Sequence, residues 1–172
     1  MTFNPEFLKS ITDWVAVPRD DGLPPWESGG GNAFGVGVNV EQGQITVDHV
    51  AMGEYGTNGL DDVEVLRKLE PGESFAVVRD HPVLVEEPLL VCLSEDRIMP
   101  IKVLAVCPMG LWFQFDAPEE LAKYPQGESG SPIFDSENRL AGMIARWWPA
   151  TRVVEAISHN LIKNGLAGGY GG

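Results

Sequence analysis

Basic residues are scarce in this chain: 12 Lys and Arg stand against 25 Asp and Glu, a formal net charge of −13. A chain of that sign lacks the basic patch that a nucleic-acid backbone or an anionic membrane surface requires, so neither is expected as a partner. Long apolar runs are missing as well, and none approaches the roughly 20 residues of a membrane helix. The opening Met1-Thr2-Phe3-Asn4-Pro5-Glu6 has neither the basic start nor the apolar core of a secretory signal. With only two cysteines, Cys92 and Cys107, no disulfide framework can form. They read as buried thiols in a reducing, cytoplasmic setting, with a strand-to-strand bridge as the alternative. There is no C-x-x-C pair, and His49, His81 and His159 are widely scattered, so neither a metal nor another cofactor is expected. Internal repeats are absent, and low complexity is confined to Gly29-Gly30-Gly31 and the glycine-rich tail from Gly165.

What is present suits a β protein. The 172 residues can bury a real core as one domain, or as one fold with two small halves. A hydrophobic fraction of 44% with 20 Gly and 13 Pro fits many short strands and turns better than helices. The most informative stretch is Gly127-Glu128-Ser129-Gly130-Ser131-Pro132, followed by Ile133-Phe134-Asp135 and the apolar run from Leu140 to Ala145. It reads as a tight glycine-flanked turn that presents one hydroxyl and leads into buried strands. The peptide N–H groups of Gly127 and Ser129 can converge beside that hydroxyl, the arrangement that holds an oxyanion next to a nucleophile. It is not the G-x-S-x-G elbow of α/β-hydrolases, because Ser131 stands where the second glycine belongs.

Taken in order, Pro5 to Val15 carries Phe7, Leu8, Ile11, Trp14 and Val15 at helical spacing and predicts an N-terminal helix over 5–15. A Pro/Gly/Asp/Ser-rich loop follows from Val17 to Asn32. The run from Ala33 to Val40, the turn Glu41-Gln42-Gly43-Gln44 and the run from Ile45 to Val50 predict a hairpin, with His49 near its far end. After a polar loop, a second hairpin is expected: Val63 to Leu69 and Ser74 to Arg79 flank Glu70-Pro71-Gly72-Glu73. Pro82 to Pro88 reads as an extended connector. Three strand-like runs come next, Leu89 to Leu93, Met99 to Val106 and Leu111 to Asp116, and then a helical turn over Glu119 to Lys123. Thr151 to Asn164 has Val153, Val154, Ile157, Leu161 and Ile162 at helical spacing, with Gly165 as a stop.

The G-x-S-G-x-P string before an apolar strand resembles the nucleophile turn of chymotrypsin-like (trypsin-fold) serine proteases. Asp48-His49-Val50 is similar to the N-H-V of the bacterial members, and His precedes Ser in the chain order of that family. The resemblance covers about Phe34 to Asn164 and implies an all-β fold of two packed six-stranded-type β-barrels with an N-terminal and a C-terminal helix. The implied layout is a first barrel over about 33–81, a second over about 88–149 and a C-terminal helix over about 151–164. It also implies a serine endopeptidase acting on peptide or protein substrates. Ser129 would be the nucleophile, His49 the general base, and the N–H groups of Gly127 and Ser129 the oxyanion hole.

The acid that orients the histidine is less plain. Laid on the family pattern, Ser74 stands at the aspartate's place with Glu73 beside it, and Glu73 is the residue expected to support His49. Asp62, in Asp62-Val63-Glu64-Val65-Leu66, is the fallback; Asp61 and Asp80 rank lower. Gln126 and Trp147 would wall the pocket for the side chain before the cut, with Trp147 making it shallow. Glu128 stands where the digestive enzymes keep an aspartate that pairs with a freed N-terminal amine. A protease formed ready, or controlled by a regulatory protein partner, is therefore expected. The alternative is a trypsin-fold binding or scaffold module with weak or lost catalysis.

Overall fold

A computed structural model describes residues 3–18, 32–51, 62–123 and 128–167. The chain runs α1 (Pro5–Ser10), β1 (Thr12–Pro18), β2 (Asn32–Val40), β3 (Gly43–Val47), α2 (Asp48–Ala51), β4 (Val63–Arg67), β5 (Pro88–Cys92), β6 (Ile98–Val106), β7 (Trp112–Asp116), α3 (Glu119–Lys123), β8 (Pro132–Phe134), β9 (Leu140–Trp148), β10 (Val153–Ser158) and α4 (His159–Leu166). The first half is a four-stranded sheet in the order β1-β2-β3-β4. The second half is a closed barrel in the order β10-β7-β6-β5-β8-β9. Strands dominate, with a helix towards each end, as the composition suggests.

Two hydrophobic clusters explain why the halves hold together. Along β9, Ala141, Ile144 and Trp147 point into the barrel with Val91, Phe113, Phe115 and Val154. Leu140, Met143 and Ala145 point the other way and join Val38, Val40, Ile45 and Val47 of the sheet. β9 is bulged in both of its pairings, at Ala141 against β8 and at Ala145 against β10, so its side chains depart from strict alternation and one strand feeds both cores. Each fully buried Leu, Ile or Phe stabilises the fold by about 1.5–3 kcal/mol relative to exposure, so the seam is a substantial part of the core. β2 from Gly35 and all of β3 are buried on both faces, which matches their continuous apolar runs.

The first hairpin is present: β2 pairs antiparallel with β3, with Val40 opposite Gly43. Three other expectations change. The N-terminal helix ends at Ser10, with Asn4 capping it by accepting the Phe7 N–H, and Thr12–Pro18 is a strand on β2. Trp14 and Ala16 are exposed while Val15 is buried, the two-residue period of a strand rather than the 3.6 of a helix.

The second hairpin does not form. β4 pairs with β3, Val63 opposite Val47 and Arg67 opposite Gln44. Residues 74–79 instead bridge the halves: Ala76 N–H donates to Asn39 O, and Arg79 N–H to Leu140 O, both at 2.9 Å. The C-terminal helix begins at His159 and not near 151, because Val153–Ser158 pairs with both β7 and β9 and closes the barrel. A helix there would leave two open strand edges. The barrel thus extends to Ser158. Among the described residues no helix is long and apolar enough to cross a membrane.

Candidate active site

The serine turn lies at the seam and is stitched to both halves. On the barrel side, Gly130 N–H donates to Ile144 O at 2.8 Å, and Ile144 N–H to Ser131 O at 2.9 Å. On the sheet side, Val36 N–H donates to Ser129 O at 2.9 Å. Ser131 N–H closes the turn on Glu128 O at 3.0 Å. Gly130 sits at φ 90°, and a Cβ there would run into the Val36 carbonyl and come within 2.6 Å of Thr46 Oγ1. Only glycine fits that backbone without strain. Ser129 is half-buried, while Glu128 and Ser131 on either side are buried. Gly127 and Gln126 lie outside the described residues.

His49 sits on α2, the single turn that follows β3, and is half-buried. Its neighbour Val50 is buried and packs towards the serine turn. A Cβ on Gly35 would be 2.7 Å from Ser129 O and 2.7 Å from Val50 Cγ2. The residue after His49 and the carbonyl of Ser129 therefore face each other across one missing methyl group. The sheet delivers the histidine turn and the barrel delivers the serine turn to the same end of β2.

Asp62 immediately precedes β4 and is buried. Its carbonyl accepts the N–H of Asp48 at 2.8 Å, which fastens it to the first residue of the histidine helix. Its Oδ1 accepts the Val63 N–H at 2.8 Å, and the side chain packs against Gly165 of α4.

Glu73 and Ser74 are not brought to this end. Glu73 is held by Arg67 through two hydrogen bonds of 2.8 and 2.9 Å and accepts the Glu70 N–H at 2.6 Å. These contacts, the Arg67 hydrogen bonds foremost, pull the Glu73 carboxyl down to about 2. Arg67 lies opposite Gln44, at the end of the β3–β4 pair remote from Val47 and His49. Ser74 offers its carbonyl to the Asn39 side chain at 3.2 Å, near the β2–β3 turn, whereas Ser129 touches Gly35 and Val36. Four residues of strand separate the two ends, about 13 Å. The expectation of Glu73 rested on a hairpin that the sheet does not contain.

Trp147 is half-buried and packs on the barrel core, and Trp148 is exposed. His159 opens α4, is buried and lines a cavity with Cys107, Pro108 and Met109. Cys92 is buried and Cys107 half-buried, and both are free. Burial pushes the Cys92 thiol up to about 12, so it is a packing residue and not a nucleophile.

One participant had no sequence signal. The carboxylate of Glu128 is paired with Arg97, which lies 31 residues earlier in the β5–β6 turn. Nothing local marks that arginine, because only barrel closure brings the turn to the serine loop.

No protein-family model and no curated protein matches the sequence. Solved structures do match in shape. The tobacco etch virus protease superposes with a TM-score of 0.62 at 13% identity, covering 97% of this chain and 80% of that one. The serine endoprotease of Yersinia pestis gives 0.65 at 14%, covering 99% and 69%. Rv3671c of Mycobacterium tuberculosis, in an inactive form, gives 0.57 at 12%, covering 95% and 87%. With the closed barrel, the packed second sheet and helices at both ends, this chain has the chymotrypsin-like serine protease fold.

Proposed function

We propose that the chain is a serine endopeptidase in which Ser129 is the nucleophile, His49 the general base and Asp62 the group that orients His49. The observation that carries the reading is the meeting at Gly35 of the Ser129 carbonyl and the residue after His49, with Asp62 bonded to the other end of the same one-turn helix. Asp62 takes the place first given to Glu73, because Asp62 adjoins the histidine helix and Glu73 is occupied by Arg67 at the far end of the sheet.

A serine hydroxyl is a weak nucleophile at neutral pH and needs a base within hydrogen-bond reach. In the proposed reaction, Ser129 Oγ attacks the peptide carbonyl while His49 takes its proton. His49 then returns that proton to the leaving amine. The Asp62 carboxylate stabilises the imidazolium that forms between these steps. The N–H groups of Ser129 and Gly127 hold the oxyanion, and a missing donor of this kind costs on the order of a hundredfold or more in rate. Water then releases the acyl group by the same path. The substrates are peptides or proteins, as they are for the proteases that share this fold. Gln126 and Trp147 are proposed to wall the pocket for the residue before the cut; an indole there leaves room for small apolar side chains.

A positional-scanning peptide library tests both parts. Wild type is expected to cut after small apolar residues, and Ser129→Ala and His49→Ala to abolish cutting without loss of fold. Trp147→Gly is expected to admit larger residues. Hydrolysis unchanged in Ser129→Ala ends the serine-peptidase reading, and a folded wild type that cuts no peptide leaves the chain a binding module on this fold.

A further inference from the structure

A cavity of about 260 Å³ lies between the connector at Pro82 and Val83, the β6–β7 turn and the start of α4. Its lining is largely apolar, with Val83 and Phe113 buried, Val106 half-buried and Met109 exposed. No Lys, Arg, Asp or Glu stands among the described residues that line it. An engineered apolar cavity of about 150 Å³ is enough to hold benzene, so this one has room for a substituted ring.

The turn that walls the cavity is preformed. Cys107 N–H donates to Trp112 O at 3.0 Å, and Gly110 N–H donates to Cys107 O at 2.8 Å. The Gly110 carbonyl accepts the Ser158 hydroxyl, and also the Asn160 side-chain amide at 3.4 Å. Gly110 sits at φ 72°, where a Cβ would come within 2.8 Å of Asn160 Nδ2. The polar side chains before and after His159 are thus engaged by the turn backbone.

His159 itself is not. It is 3% exposed and lines the cavity, and its Nδ1 is buried without a hydrogen-bond partner. Most buried polar side-chain atoms have a partner, because leaving one unmatched costs the desolvation of that group. Burial first, then Arg79, Lys163 and His81, pushes the imidazole down to about 4, so the ring is neutral at physiological pH. A neutral imidazole offers one donor and one acceptor and draws no anion, and no carboxylate lines the cavity to draw a cation. A hydroxyl both donates and accepts, so it satisfies His159 whichever ring nitrogen carries the proton.

We infer that this cavity is a binding site for a small uncharged molecule that joins an apolar ring to a hydroxyl, with His159 as the group that recognises the hydroxyl. The apolar lining takes the ring. None of the residues that line the cavity belongs to the proposed catalytic set, so the inference stands apart from the peptidase reading. The cavity exists only where the connector, the β6–β7 turn and α4 come together, so an occupant stabilises the folded chain.

The probes are phenol and toluene, which match in size and differ in the hydroxyl, with benzoate as the anion. Each is titrated into wild type, His159→Phe and Cys107→Phe while amide chemical shifts and the thermal midpoint are followed. In wild type, phenol is expected to saturate, to move the amides of Met109, Gly110, His159 and Asn160 most, and to raise the midpoint. His159→Phe keeps a ring and removes both nitrogens. The ratio of phenol to toluene affinity should fall at least fivefold in it, the scale of one lost hydrogen bond. Cys107→Phe fills the cavity and should abolish saturation by both; if it does not fold, the wild-type shift map and the His159→Phe ratio decide.

Phenol that fails to saturate in wild type, or that moves other amides instead, overturns the inference. So does undiminished phenol binding by a folded Cys107→Phe. A ratio unchanged in His159→Phe overturns the role of His159, and benzoate binding as tightly as phenol overturns the uncharged class.

Discussion

The backbone N–H of Asp48 donates to the carbonyl of Asp62 at 2.8 Å, which binds the start of β4 to the helix turn that carries His49. Among the described residues β3 and β4 are direct neighbours in the sheet, so the short span between His49 and Asp62 is enough to bring Asp62 to the turn that carries the histidine. Asp62→Asn is expected to lower peptidase activity by about 10^4-fold, the scale for losing the orienting carboxylate of a serine triad. Glu73→Gln is expected to leave the rate near wild type. The two kcat/KM values, taken at matched urea midpoints, check this; a larger loss in Glu73→Gln would return the role to that residue.

Arg79 predicts a stability effect. It is 2% exposed, paired with Glu87, and lies 3.4 Å from Asp135, and it also donates to the carbonyls of His81 at 2.9 Å and Pro82 at 2.7 Å. It thus ties the connector before β5 to the β8–β9 turn. Arg79→Met removes the cation and takes the charge partner from Glu87, while Asp135 keeps Arg139 at 3.3 Å; breaking a buried pair of this kind typically costs about 3–5 kcal/mol. Urea unfolding at neutral pH measures the loss. A shift under about 1 kcal/mol would mean that the carboxylates find solvent or other partners readily.

A pH effect follows from His159. Burial pushes its imidazole down from 6.5 to about 4, with Arg79, Lys163 and His81 acting in the same direction and Asp80 opposing them. Below about pH 6.5 the unfolded chain therefore takes up a proton that the folded chain refuses until about pH 4. Stability is full above that window and falls as pH drops through it. The urea midpoint of wild type should decline more steeply from pH 6.5 to 4 than that of His159→Gln. Parallel declines would show that His159 is not responsible.

The elements that carry the candidate residues were legible where their signals are local. The turn between β2 and β3 dictates its own backbone, Gly130 takes φ 90° in the serine turn, and His49 falls on the helical turn directly after that hairpin. What could not be read depends on partners distant in the chain. Val153, Val154 and Ile157 fit a helix by spacing, yet the barrel needs a sixth strand between β7 and β9, and pairing on both edges outweighs periodicity. The helical reading of residues 12–15 failed differently: exposed Trp14 beside buried Val15 was a two-residue signal hidden by the longer apolar pattern from Phe7. Glu73 was favoured because a hairpin between β4 and residues 74–79 was assumed. The pairing of β4 with β3 reverses which end of that strand meets the histidine, and that is a choice of neighbour that local residues do not record.

The central claim is that Ser129 is an activated nucleophile beside His49, and covalent capture tests it most directly. The protein is treated with a fluorophosphonate at neutral pH, and the adduct is located by mass spectrometry in wild type, His49→Ala and Ser129→Ala. The account predicts one adduct per chain, on Ser129, formed at least a thousandfold more slowly in His49→Ala and absent in Ser129→Ala. No adduct in the folded wild type, or one on another residue that persists in Ser129→Ala, would contradict it.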